Sequence, residues 1–112
     1  AECCAPYLAG EPAPTAAALM RSRFTAYALG DVEHLRRTWH ASSRPEELDL
    51  DDAVSWVGLQ IVDTVRGGRD DSTGTVHFRA SYRTATDRGV LEEVSTFVRN
   101  GGRWFYVAGD TR

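Results

Sequence analysis

Hydrophobic positions along the chain repeat with two different periods, and the change between them falls near residue 57. In the first half, Met20, Phe24, Tyr27 and Ala28 recur at the spacing of one helical stripe, while Arg21, Ser22 and Thr25 fall largely on other faces. Thr15 suits an N-cap and Gly30 a C′ position, so the pattern predicts a helix over Ala16–Leu29. Asp31 can cap a second helix directly, with Val32, Leu35 and Trp39 as its apolar face and His40 at its end. Ser42, Ser43, Arg44 and Pro45 break that helix, and the acidic stretch from Glu46 to Asp52 predicts a short third one ending near Trp56.

From Val57 the apolar residues begin to alternate, as Val57, Leu59 and Ile61 do, and a first strand is predicted over residues 57–66. The segment from Gly67 to Gly74 is rich in glycine and aspartate and reads as a loop. Val76, Phe78, Ala80 and Tyr82 then alternate with His77, Arg79, Ser81 and Arg83 in the clearest strand pattern of the chain. Asp87-Arg88-Gly89 turns into a third strand over 90–99, and Asn100-Gly101-Gly102 turns again into Trp104–Val107. Strands joined by such short turns are antiparallel neighbours. One face of their sheet needs cover, which only the preceding helices supply.

Before Thr15 the pattern dissolves. Pro6, Gly10, Pro12 and Pro14 predict an irregular arm that cannot hold a helix. The expected organisation is therefore an arm over residues 1–14 and a single domain over 15–112. Its class is α+β, a helical N-terminal half packed on a curved four-stranded antiparallel sheet.

Charge narrows the partners. A formal net charge of -3 argues against an electrostatic grip on nucleic acid or on an anionic membrane. All 13 basic residues are arginine, a bias that a GC-rich coding genome explains as well as any chemistry does. No run reaches the roughly 20 apolar residues of a membrane-spanning helix, and no signal-peptide layout opens the chain, so a cytoplasmic location is expected. The cysteines, Cys3 and Cys4, are adjacent, which disfavours a disulfide between them and instead suggests half of a tetrahedral thiolate site.

Four strings carry a resemblance: Cys3–Leu8, Leu19-Met20-Arg21-Ser22-Arg23-Phe24-Thr25-Ala26-Tyr27, Thr38-Trp39-His40 and Arg103-Trp104-Phe105-Tyr106. Together they resemble the YchJ-like family of bacterial proteins. The resemblance implies a cone-shaped domain similar to nuclear-transport-factor-2-like and SnoaL-like proteins, and it implies no particular activity. It also implies a preceding SEC-C motif, a zinc-binding segment with a cysteine-x-cysteine followed later by a cysteine pair. Cys3 and Cys4 match the final pair alone, so zinc would find half of its ligands here.

Within such a cone a pocket is expected, apolar with a few convergent polar groups. Tyr27, Trp39, Trp56, Phe97, Trp104 and Tyr106 could line it, although aromatics at these spacings more often form plain core. His40 is the first candidate acid or base, because a helix end favours its charged form while burial opposes it; an ordinary C-terminal cap is the bland reading. Glu93 shares a face with Leu91, Ser95 and Phe97 and would be a carboxylate of raised pKa if that face lined the pocket. The opposite face, Val90, Val94 and Val98, is as apolar, and a solvated Glu93 is the simpler reading. Arg23 is the inward arginine of the first helix, either in an internal ion pair, for which Glu93 is one partner, or as an anion-binding group.

No phosphate-cradling loop, nucleophile elbow or HExxH motif is present, and Asp49, Asp51 and Asp52 lack the spacing of a calcium loop. Two functions therefore stay open. One is a small-ligand-binding or enzymatic domain, with His40 and Glu93 as catalytic candidates and Arg23, Tyr27, Trp39 and Trp104 lining the pocket near His40. The other is a non-catalytic adaptor with a zinc-binding N-terminal segment. The expected partner is a small molecule or a protein, a homodimer included.

Overall fold

A computed structural model describes residues 5–111; Cys3 and Cys4 lie outside that span. The elements run α1 (Ala5–Leu8), α2 (Ala16–Leu29), α3 (Val32–Arg37), β1 (Ser55–Arg66), β2 (Thr73–Arg83), β3 (Arg88–Asn100) and β4 (Arg103–Thr111). The strands form one antiparallel sheet in the order β1-β2-β3-β4, as the short turns require.

The long helix forms where capping and pattern place it. Thr15 Oγ1 accepts a hydrogen bond from the Ala18 amide at 3.1 Å, and Gly30 closes the helix with a φ of 75° that a side chain would disfavour. Its buried set is broader than one stripe: Ala16, Leu19, Met20, Ser22, Arg23 and Ala26 are buried, while Ala28 is exposed. The helix lies between α3 on one side and the sheet on the other, so two of its faces find cover. Its start is tied to the β1–β2 turn, where the Ala16 amide donates to the Gly67 carbonyl at 2.9 Å.

Three expectations fail, each for a physical reason. The arm does hold a helical turn, Ala5–Leu8, because Pro6 sits in its first turn, where no amide is needed. The second helix ends at Arg37 rather than His40, since Thr38 Oγ1 donates to the His34 carbonyl at 2.7 Å and the chain straightens. Thr38 and His40 then pair with β4: Tyr106 N donates to Thr38 O and His40 N to Tyr106 O, each at 2.8 Å. Residues 46–54 form turns and extended chain, not a third helix, and Trp56 belongs to β1. Acidic residues alone do not make a helix where no apolar stripe gives it a surface to pack on.

The core joins Leu19 and Met20 of α2 to Val76, Phe78 and Ala80 of β2, Phe97 of β3 and Trp104 of β4. Ser95 and Phe97 are fully buried, so the face of β3 that carries Glu93 is the inner one. Val90 is exposed on the outer face, beside the surface group in which Glu92 pairs with His77 and Arg79.

Candidate functional site

Between α2 and the inner face of the sheet lies a cavity of about 200 Å³. Met20, Phe24, Trp56, Phe78, Ala80 and Leu91 make it largely apolar, and Arg23, Tyr27, Glu93, Ser95 and Tyr106 bring in the polar groups. Each strand reaches it through alternate residues, which is why Leu91, Glu93 and Ser95 arrive together.

Arg23 is 2% exposed and forms no ion pair among the described residues. Of the two readings of Arg23, the internal ion pair, for which Glu93 was one partner, is thus not made among the described residues. Arg23 Nη1 donates to the Leu35 carbonyl at 3.0 Å and to Thr38 Oγ1 at 2.7 Å, which fixes the side chain across the α2–α3 gap. The guanidinium lies over Tyr106, 4.4 Å from the ring centroid, and 5.1 Å from that of Trp39. These aromatic faces offset part of the cost of burying the charge. Burial still pulls its pKa down to about 10, with Tyr27 and Tyr106 opposing, so the group stays cationic at neutral pH.

Glu93 is half-buried rather than solvated, which corrects the simpler sequence reading. Burial raises its pKa, the Ser95 hydroxyl donating at 3.3 Å opposes that, and Asp110 adds to the rise. Room for the carboxylate comes from β4. A register shift next to Tyr106 sets Gly109 opposite Ser95, and a Cβ on Gly109 would lie 1.8 Å from Glu93 Oε1 and 3.0 Å from the Tyr106 hydroxyl. Burial, with the charge of Glu93 adding, pushes the Tyr106 hydroxyl up to about 12. Tyr106 so spans the site, its ring under Arg23 and its hydroxyl beside Glu93.

The other candidates fall elsewhere. His40 does not line the cavity: Nδ1 accepts from the Ser42 amide at 3.1 Å, and Nε2 faces the Asn100 side-chain amide at 3.1 Å. It ties the segment after α3 to the β3–β4 turn. Trp39 packs edge-on against Tyr106, at 4.9 Å between centroids, outside the cavity lining. Trp104 instead lines a second hollow, of about 370 Å³, with Tyr7, Leu19, His34, Arg37 and Arg103. Among the described residues no group of three His, Cys, Asp or Glu side chains is placed to hold a metal ion.

Sequence reading passed over His34, which is 1% exposed. Its Nδ1 lies 2.9 Å from Arg37 Nη2, which can only donate, so Nδ1 accepts and Nε2 carries the proton. Nε2–H then donates to Ser22 Oγ at 3.0 Å, and Ser22 donates to the Leu19 carbonyl at 2.8 Å. A ring protonated on Nε2 cannot take the Ser22 proton, so the pair is a structural link and not a nucleophile with its base. Its signal was spacing: His34 and Thr38, four apart, share the face of α3 turned to α2.

No helix is long and apolar enough to cross a membrane among the described residues. The family model described as the middle NTF2-like domain of YchJ matches residues 15–109. A UPF0225 protein of Corynebacterium efficiens is 51% identical, over 97% of this chain and 84% of its own length. One from Streptomyces coelicolor is 49% identical, over 97% and 86% respectively. The solution structure of a SEC-C motif containing protein from Rhodopseudomonas palustris, 30% identical, superposes with a TM-score of 0.86 over 99% of this chain and 90% of that one. A crystal structure of a SEC-C motif containing protein from Psychrobacter arcticus, 27% identical, gives 0.79 over 96% and 69%. With the cavity held between its one long helix and its meander, the chain belongs to the YchJ-like family and carries that family's NTF2-like domain.

Proposed function

We propose that this domain binds a small organic molecule in the cavity between α2 and the sheet, with Arg23, Tyr27 and Glu93 as its polar contacts. The observation that carries this reading is Arg23: a buried cation with no carboxylate partner among the described residues, in the lining of a largely apolar cavity. Taking a cation out of water without a carboxylate partner is costly, and the hydrogen bonds to Leu35 and Thr38 with the faces of Tyr106 and Trp39 offset that cost only in part. Glu93, whose proton the site holds more tightly than water would, is the group placed for any proton transfer there, and His40 stands outside the site. In this reading the sheet curves round α2 as a cone whose interior is the binding site.

A heteronuclear NMR screen of the labelled chain against neutral, cationic and anionic fragments tests the proposal. Saturable shifts should gather at Tyr27, Phe78, Glu93 and Tyr106. A screen in which compounds of every charge class leave those resonances unmoved would remove it.

A second reading concerns the segment before the domain. The two similar solved structures are described as SEC-C motif containing proteins, and Cys3 and Cys4 supply a vicinal thiolate pair suited to zinc. In that reading the segment recruits a protein partner and brings its own metal ligands. Metal analysis of the native polypeptide at neutral pH decides it, and the absence of stoichiometric zinc refutes it.

A further inference from the structure

The cavity's lining also restricts what it can hold. Apart from its two tyrosines, Arg23 and Glu93 are the titratable side chains of its lining, and they are not paired with each other. Among the described residues, the bonds that Arg23 gives to Leu35 and Thr38 leave from Nη1, and Tyr27, itself in the cavity lining, is its remaining side-chain hydrogen-bond partner, so the Nε and Nη2 donors are left to be shared between the Tyr27 hydroxyl and a ligand. Those donors form one edge of a planar fork, and a planar fork matches the two oxygens of a carboxylate. Around it stand Phe24, Tyr27, Trp56, Phe78 and Tyr106, whose rings accept an apolar body of about one ring in a volume of about 200 Å³.

Resting on the reading of this cavity as a ligand site, we infer that its ligand is a small organic monoanion, an apolar or aromatic carboxylate whose two oxygens take the Nε and Nη2 donors of Arg23. A phosphate ester is disfavoured by charge. It carries about -1.5 to -2 at neutral pH, against the single cation that the cavity provides and with the Glu93 carboxyl in the same lining. A cationic ligand would have to sit beside Arg23 with only a half-buried carboxyl to balance two positive charges. A neutral ligand would leave Arg23 as unpaired as before.

The test titrates the labelled chain with benzoate, benzamide and phenyl phosphate and follows Tyr27, Phe78, Glu93 and Tyr106 by NMR. Benzoate should shift them saturably and bind at least about tenfold more tightly than the other two, the tenfold corresponding to about 1.4 kcal/mol. Arg23→Lys, which keeps the charge but loses the fork, should weaken benzoate by a similar factor, and His40→Ala should leave it unchanged. If Arg23→Lys does not fold, the comparison of three probes on the unaltered chain still decides. Benzamide binding as tightly as benzoate overturns the carboxylate while the cavity remains a ligand site. Phenyl phosphate binding more tightly overturns it in favour of a dianion. Benzoate shifts confined to Arg37 and Arg103, or none, also overturn it, and the wider fragment screen then separates a wrong ligand class from a cavity that binds nothing.

Discussion

Two inward polar residues of this domain, the buried His34 and the half-buried Glu93, differ in what holds them. His34 is fully satisfied by protein, and burial, with Arg37 beside it, lowers its pKa to about 4. The unfolded imidazole takes up its proton near pH 6.5, the native one only near 4. Between those values the unfolded chain binds more protons, so stability falls as pH drops from about 6.5 to about 4 and is fully present above that window. The loss attributable to His34 is at most about 3 kcal/mol. His34→Gln can still donate to Ser22 and accept from Arg37 but does not titrate. Denaturant midpoints of the two proteins should therefore converge as pH falls through that window, and a constant difference from pH 7 to 4 would contradict the account. Glu93 depends instead on space. Gly109→Ala places a methyl where the Glu93 carboxylate lies, so a loss of about 1–3 kcal/mol is expected from crowding. In a Glu93→Ala background the same change should cost much less, a coupling that a double-mutant cycle reads directly.

At the level of elements, what the sequence made legible was whatever local chemistry decides. Thr15 and Gly30 fixed both ends of α2, and the alternation from Val76 to Tyr82 fixed β2. Replacing Thr15 with alanine should cost about 1 kcal/mol in thermal or chemical unfolding, and serine should restore it; an alanine variant of unchanged stability would show that Thr15 Oγ1 contributes nothing. Two of the readings that went astray or stayed open were settled by partners distant in sequence. The end of α3 is set by Tyr106, more than sixty residues away, whose backbone takes Thr38 and His40 into a bridge. The inner face of β3 was ambiguous because the valine face and the face of Leu91 and Phe97 are equally apolar, and only packing against α2 chooses. Once that choice is made, Glu93 enters the cavity without further assumption.

For the whole molecule the same division holds. Arg23 and Tyr27 could be read as inward from helical spacing, but their meeting with Glu93 depends on the register of four strands and on the shift beside Tyr106. His40 looked attractive by residue type and proved to be a tie between loops. A comparable tie holds the N-terminal arm: Arg37 Nη2 donates to the Leu8 carbonyl and Arg103 Nη1 to the Gly10 carbonyl, each at 3.1 Å. Both arginines are exposed, so each bond adds little to global stability, under about 1 kcal/mol, yet together they hold residues 5–12 against α3 and β4. Arg103→Ala should therefore uncouple the arm without unfolding the domain. The amides of Ala9, Gly10 and Glu11, protected by the turn of α1, should exchange faster with solvent, while those of β2 and β3 keep their protection. Equal exchange at Ala9–Glu11 in the two proteins would mean that the arm is held by the packing of Tyr7 and Ala13 on the core rather than by the arginine, and a shared rise in β2 and β3 would mean that arm and domain unfold as one unit.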